Sequence, residues 1–151
     1  MAFIAEAADS RGVNQLRARM PREADLMSLS QSEYLEVRRI PGKGRGVFAR
    51  VMIPKGTIFE TVPMLVCKQD DIIGSTLMDY VYAWGVETVG LALGYGSLYN
   101  HSFKPNARYD DLAQQRKEFT SLRDIEAGEE VTINYNGDPK SKKSVGFDVK
   151  D

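Results

Sequence analysis

The stretch Leu98 to Ala107 reads LYNHSFKPNA, and Gly128 to Tyr135, reading GEEVTINY, answers it further along the chain. In the first stretch, Asn100, His101 and Asn106 follow a glycine-rich apolar run. Polar groups beside apolar surroundings are tolerated when they hydrogen-bond something specific, so these three are expected to hold a ligand or another loop. In the second stretch, Val131 and Ile133 alternate with polar residues, as in a strand with one buried face, and the chain then reaches Tyr135.

Outward from these stretches the pattern is one of short strands and turns. Tyr34 to Ile40 suggests a strand that runs into the turn Pro41-Gly42-Lys43-Gly44-Arg45-Gly46. Val47 to Val51 continues as a strand, Ile53-Pro54-Lys55-Gly56 turns again, and Thr57 to Cys67 supplies one or two strands rich in β-branched residues. Leu77, Tyr80, Val81 and Trp84 fall at helical spacing, which predicts a helix with Ser75 as its N-cap and Gly85 at its end. The run Val89 to Leu98 carries Gly90, Gly94 and Gly96, too many for a helix, and predicts a close backbone approach instead. Lys117 to Leu122 reads as a strand, Ala127-Gly128 as a turn and Glu130 to Asn134 as a last strand. This punctuation predicts a mostly β fold of several short curved sheets with few short helices, without strand-helix alternation. Residues 1–33, with a short helix from Asn14 to Met20 interrupted by Pro21, read as a poorly ordered or loosely docked N-terminal arm. Residues 34–136 form the domain, and 137–151 a loop-like tail in which Phe147 and Val149 are unexpectedly apolar.

Composition narrows the function classes. The 151 residues are 42% apolar and 27% charged, as in an ordinary globular domain long enough to bury a core. A net charge of −1 argues against a whole-molecule electrostatic nucleic-acid binder. Residues 67–139 nevertheless carry six Lys or Arg against twelve Asp or Glu, a net of −6, which favours a cationic substrate or is simply a solvated acidic face. Cys67, the single cysteine, excludes an internal disulfide, agrees with an intracellular setting and reads as a small buried hydrophobe. One His and one Cys cannot assemble a structural zinc site of the usual ligands, so no metal is expected. No apolar run is long enough to span a membrane, and no signal peptide is evident. The glycines at 42, 44 and 46 are not a phosphate-binding loop, because no Gly-Lys-Ser/Thr follows and a strand pattern stands where a helix is needed.

Four features nonetheless follow one another in a set order: the Gly44-Arg45-Gly46 turn, Gly94-Tyr95-Gly96, Asn-His-Ser-x-x-Pro-Asn from Asn100, and Gly-Glu-Glu-Val-x-x-x-Tyr from Gly128. Together, over roughly residues 34–136, they resemble the SET-domain protein lysine methyltransferases. The Leu-x-Asp-Tyr segment at 77–80 and the Leu-x-Leu-Gly-Tyr-Gly run at 91–96 are similar to those of minimal members such as the small viral SET histone methyltransferase. That resemblance implies a β-clip-like fold whose C-terminal segment threads in a knot-like way. It also implies methyl transfer from S-adenosylmethionine, leaving S-adenosylhomocysteine, to a lysine in a basic, histone-like protein tail. Gly44, Arg45 and Gly46 match the motif that receives the methionine part of the cofactor, and Asn100 and His101 the pair that holds its amino group and adenine. Tyr135 takes the place of the catalytic tyrosine, with Tyr80 and Tyr95 expected beside it in the substrate channel. Larger members close the site with a cysteine-rich zinc segment absent here, so Phe147 or Val149 is expected to cover it, Phe147 on the cofactor side. Asn134 stands where the family usually has an acidic residue. The resemblance further suggests a homodimer, and placement at chromatin or in the nucleus is expected for a eukaryotic or viral protein and in the cytoplasm for a bacterial one; hydropathy and the acidic middle of the chain leave no membrane or nucleic-acid partner expected. The alternative is a non-catalytic module of the same fold that binds basic peptides.

Overall fold

The computed structural model of the chain describes residues 29–149. The helix expected from Asn14 to Met20 and most of the N-terminal arm lie outside the described residues. Nine strands occur among the described residues, with three helices of a single turn or little more.

Strand β1, Leu35–Ile40, and β2, Gly44–Ala49, form an antiparallel hairpin in register from Leu35↔Ala49 to Ile40↔Gly44. The turn between them closes with Gly42 at φ 77° and Gly44 at φ 94°, backbone that glycine adopts without steric cost. The expectation of one or two strands from Thr57 to Cys67 resolves into one long strand, β3, Ile58–Lys68. Its first half pairs with β8, Arg116–Ser121, and its second half, from Met64, with β5, Thr88–Ala92. Pro63, which has no N–H to give, sits where β3 changes partner. With β4, Val81–Gly85, on one edge and β7, Ala107–Leu112, on the other, the sheet order is β4-β5-β3-β8-β7. Strands β6, Asn100–His101, and β9, Thr132–Ile133, make a parallel pair.

The predicted helix over 77–84 is not formed. Ser75 does cap a single 3-10 turn, Thr76–Tyr80, accepting from the Leu77 amide, but the chain then extends into β4. Tyr80, Tyr82 and Trp84 also alternate, so the segment fits both periods, and pairing with β5 from Val81↔Leu91 to Gly85↔Thr88 decides between them. Cys67 is half-buried on β3 rather than a core residue. The glycines of 90–96 do mark close approach: a Cβ on Gly96 would lie 2.6 Å from the Ala92 Cβ, and one on Gly90 2.8 Å from the Met64 Cε.

The core gathers Leu35, Val47, Phe59, Val62, Tyr99, Phe119, Val131 and Ile133, all nearly or fully buried. It draws on the β1–β2 hairpin, the five-stranded sheet and the β6–β9 pair, so the two polar stretches are anchored through Tyr99, Val131 and Ile133.

Candidate functional site

The parallel pairing Asn100↔Thr132 and His101↔Ile133 brings the two opening stretches together. Asn106, 2% exposed, clamps them: its Nδ2 donates to the Glu130 carbonyl at 2.8 Å and its Oδ1 accepts from the Thr132 amide at 2.9 Å. Asn100 donates to the Glu130 carboxylate at 2.7 Å and to the Arg45 carbonyl at 3.1 Å, which ties the β1–β2 hairpin to the same place. A Cβ on Gly46 would meet the Ile40 Cδ1 at 2.5 Å and the Glu130 Oε1 at 2.7 Å, so any larger residue would have to displace those side-chain ends, while a Cβ on Gly44 would meet nothing within 4 Å.

Tyr135 lies two residues beyond the end of β9. Its amide donates to His101 Nδ1 at 3.1 Å, and its hydroxyl donates to the Tyr99 carbonyl at 2.8 Å. Tyr99 is fully buried, and its own hydroxyl donates to Glu60 at 2.6 Å. Tyr99 therefore makes both contacts, its backbone carbonyl toward Tyr135 and its hydroxyl toward Glu60. Burial raises the Glu60 carboxyl to about 7, although Tyr99 and the Tyr95 amide pull the other way. Burial, with Glu130 and Tyr80 nearby, raises the Tyr135 hydroxyl to about 12. Tyr135 consequently keeps its proton through the neutral range.

Tyr135 lines three adjoining cavities. One, of about 660 Å³, is also lined by Arg38, Arg39, Lys43, Gly44, Arg45, Tyr80 and Asn100. A smaller one, of about 190 Å³, lies between Lys43, Asn100, His101, Phe147 and Val149. The third, of about 580 Å³, is bounded by Tyr80, Tyr82, Tyr99, Tyr109, Val145 and Phe147. Phe147 stacks edge-on to His101 and Tyr135 at 6.3 and 6.2 Å, and Asn134 and Asn136 hold the tail by donating to the Ser141 and Lys143 carbonyls.

Of the residues singled out in the sequence, Gly44, Arg45, Asn100, His101, Tyr80, Phe147 and Tyr135 meet around these cavities, with Gly46 buried behind Asn100. Tyr95 does not line any of the three. Its ring packs against the core, and its hydroxyl accepts from Gln31 at 2.6 Å. Tyr82, Tyr109 and Glu60 join the site through sheet pairing that no local motif signals, and Tyr99, inside the first stretch, through burial of its ring and its hydrogen bonds to Glu60 and Tyr135. Among the described residues no group of three or more His, Cys, Asp or Glu side chains could hold a metal ion, and no helix is long and apolar enough to cross a membrane.

The SET domain family model matches residues 44–136. The chain is 37% identical over 106 residues to the histone-lysine N-methyltransferase, H3 lysine-37 specific, of Schizosaccharomyces pombe, an alignment covering 67% of this chain and 72% of that protein. It is 30% identical over 140 residues to histone-lysine N-methyltransferase set5 of the same yeast, covering 72% of this chain but 44% of set5. To histone-lysine N-methyltransferase SETD7 of Halocynthia roretzi it is 25% identical over 123 residues, spanning 32% of that protein. A crystal structure of a candidate histone methyltransferase from Plasmodium falciparum superposes with a TM-score of 0.59 at 28% identity, over 71% of this chain and 95% of that one.

Proposed function

The chain belongs to the SET-domain family, and from that premise we propose that it transfers a methyl group from S-adenosylmethionine to a lysine of a histone or similarly basic protein tail. The observation that carries the reading is the convergence of the glycine hairpin, the Asn100-His101 strand and Tyr135 on one set of connected cavities. A cofactor with a carboxylate, a cationic sulfur and a flat base fits the residues present. Gly44 leaves its backbone open, Lys43 and Arg45 offer cations, and His101 and Phe147 offer ring surface. When bound, S-adenosylmethionine supplies an electrophilic methyl group on that sulfur.

The remaining work falls to the chain. Tyr80, Tyr82, Tyr109 and Tyr135 form an aromatic wall along the third cavity, suited to a lysine side chain reaching toward Tyr135. Only the neutral amine is nucleophilic, and a lysine with a reference pKa of about 10.4 needs roughly 4–5 kcal/mol to shed its proton near pH 7. An apolar channel removes part of that cost by disfavouring the ammonium. Tyr135, protonated up to about 12, is not the base, and the proton leaves by water. Its ring and hydroxyl instead orient the amine and exclude other approaches. By its relatives' chemistry the protein acts at chromatin.

The test is transfer of labelled methyl groups to core histones and other basic proteins, with Tyr135→Phe in parallel. Label on lysine, reduced at least 100-fold in the variant while cofactor affinity changes little, supports the reading. Cofactor binding with no transfer to any protein favours a docking module for basic peptides.

A further inference from the structure

Lys117 has no exposed surface, yet it lies within β8 as a charged side chain. Its ammonium is 4.3 Å from the Tyr82 ring centroid, 4.3 Å from that of Tyr109 and 5.6 Å from that of Trp84. The Asp111 carboxylate, paired with it across β7 and β8, accepts its hydrogen bond. Tyr82 and Tyr109 meet edge to face at 5.0 Å, and both line the 580 Å³ cavity that holds Tyr135. Lys117 is not among the residues lining that cavity, so its ammonium stands behind the two rings. A buried ammonium is costly even when paired, and an unbranched apolar side chain would fill the same space without that cost.

We propose that Lys117 is a positioning residue of the substrate channel, whose fixed cation occupies the inner faces of Tyr82 and Tyr109 and makes the channel receive the target lysine as its neutral amine. The inference rests on the reading that this cavity takes a lysine. A ring that already binds a cation on one face attracts a second cation less on the other. A nearby like charge also lowers the pKa of an incoming lysine. The groups facing Lys117 are Tyr109, Asp110 and Asp111 from β7 and Tyr82 from β4; Glu60 of β3 and Tyr135 act on Tyr82 in turn. Asp111 is 49% exposed, so water screens its charge more than that of the enclosed ammonium. Burial pulls the Lys117 ammonium down from its ordinary value, and the Asp111 carboxylate opposes that and favours the charged form.

The experiment compares the full chain with Lys117→Met and Lys117→Arg. It uses a core-histone peptide that the unsubstituted chain methylates and the same peptide carrying trimethyl-lysine at the target. Single-turnover rates are measured against pH, and affinities by calorimetry. In Lys117→Met the acidic limb of the rate profile moves up by about one pH unit, and the permanently cationic trimethyl peptide binds about fivefold tighter. Lys117→Arg keeps the original limb. An unmoved limb with unchanged trimethyl affinity in a folded Lys117→Met overturns the proposal. If that variant does not fold, Lys117→Gln replaces it, and loss of fold in both assigns Lys117 a purely structural role. Transfer by the unsubstituted chain with an unmoved limb sinks only the role of Lys117, whereas no transfer at all sinks the reading of the cavity and this proposal with it.

Discussion

Glu60 is buried against the hydroxyl of Tyr99, the residue whose backbone carbonyl holds the Tyr135 hydroxyl, and its ionisation makes folding stability depend on pH. The carboxylate accepts from the Tyr99 hydroxyl and the Tyr95 amide while only 5% exposed. With its carboxyl raised from 4.5 to about 7, the folded chain keeps a proton here over a range in which the unfolded chain has lost it. The stability contribution is therefore full below the unfolded value and falls as pH rises through about 7, by roughly 3 kcal/mol as an order of magnitude. Glu60→Gln removes that slope, because the amide is neutral at every pH and the Tyr99 hydroxyl can turn to accept from it. Urea unfolding at a series of pH values should show the variant gaining on the parent between pH 4.5 and 7. Curves that run parallel across that range would refute the assignment. None of this was legible in the sequence. Glu60 sits in a β-branched run with no motif around it, and its partners arrive from 35 and 39 residues away.

At the scale of elements, the β6–β9 pair depends on Asn106 and the tail depends on Phe147. Asn106→Ala strands the Glu130 carbonyl and the Thr132 amide in a half-buried place. That should cost about 2–4 kcal/mol, read as a lower unfolding midpoint with unchanged denaturant slope. Deletion from residue 140 removes Phe147 from His101 and Tyr135, together with both backbone acceptors of Asn134 and Asn136. Cofactor affinity and turnover should both fall; if neither changes, the tail does not cover the site. Elements whose signal is local were legible in advance: the Gly42–Gly46 hairpin, the Ser75 cap and the close approach at Gly90 to Gly96. The 77–84 segment was misread because its aromatic residues satisfy helical and strand periods at once, and only the partner strand β5, invisible to a local window, settles the choice. The family resemblance implies Tyr95 beside the channel, but its ring packs against the core, and Gly94 and Gly96 on either side of it pack against Glu60, Val62 and Ala92.

The whole molecule divides its charge in a way that suits a carboxylate on one side of the site and a basic tail on the other. Arg38, Arg39, Lys43 and Arg45 of the β1–β2 hairpin line the largest of the three cavities, on the side where a carboxylate-bearing cofactor would sit. Residues 67–139, with their net of −6, supply most of the channel wall from Met78 to Tyr109. A net charge of −1 conceals this separation. An acidic surface attracts a basic tail over about one Debye length, roughly 10 Å at 0.1 M salt and shorter as salt is added. Raising the salt from about 50 to 300 mM should therefore raise KM for a histone peptide several-fold. The chemical step follows docking of the tail and brings no new long-range charge pair into play, so kcat should stay within about twofold. Steady-state kinetics at four or five salt concentrations separates the two parameters. A KM independent of salt would mean that the acidic segment is only a solvated face and that the aromatic channel alone selects the lysine.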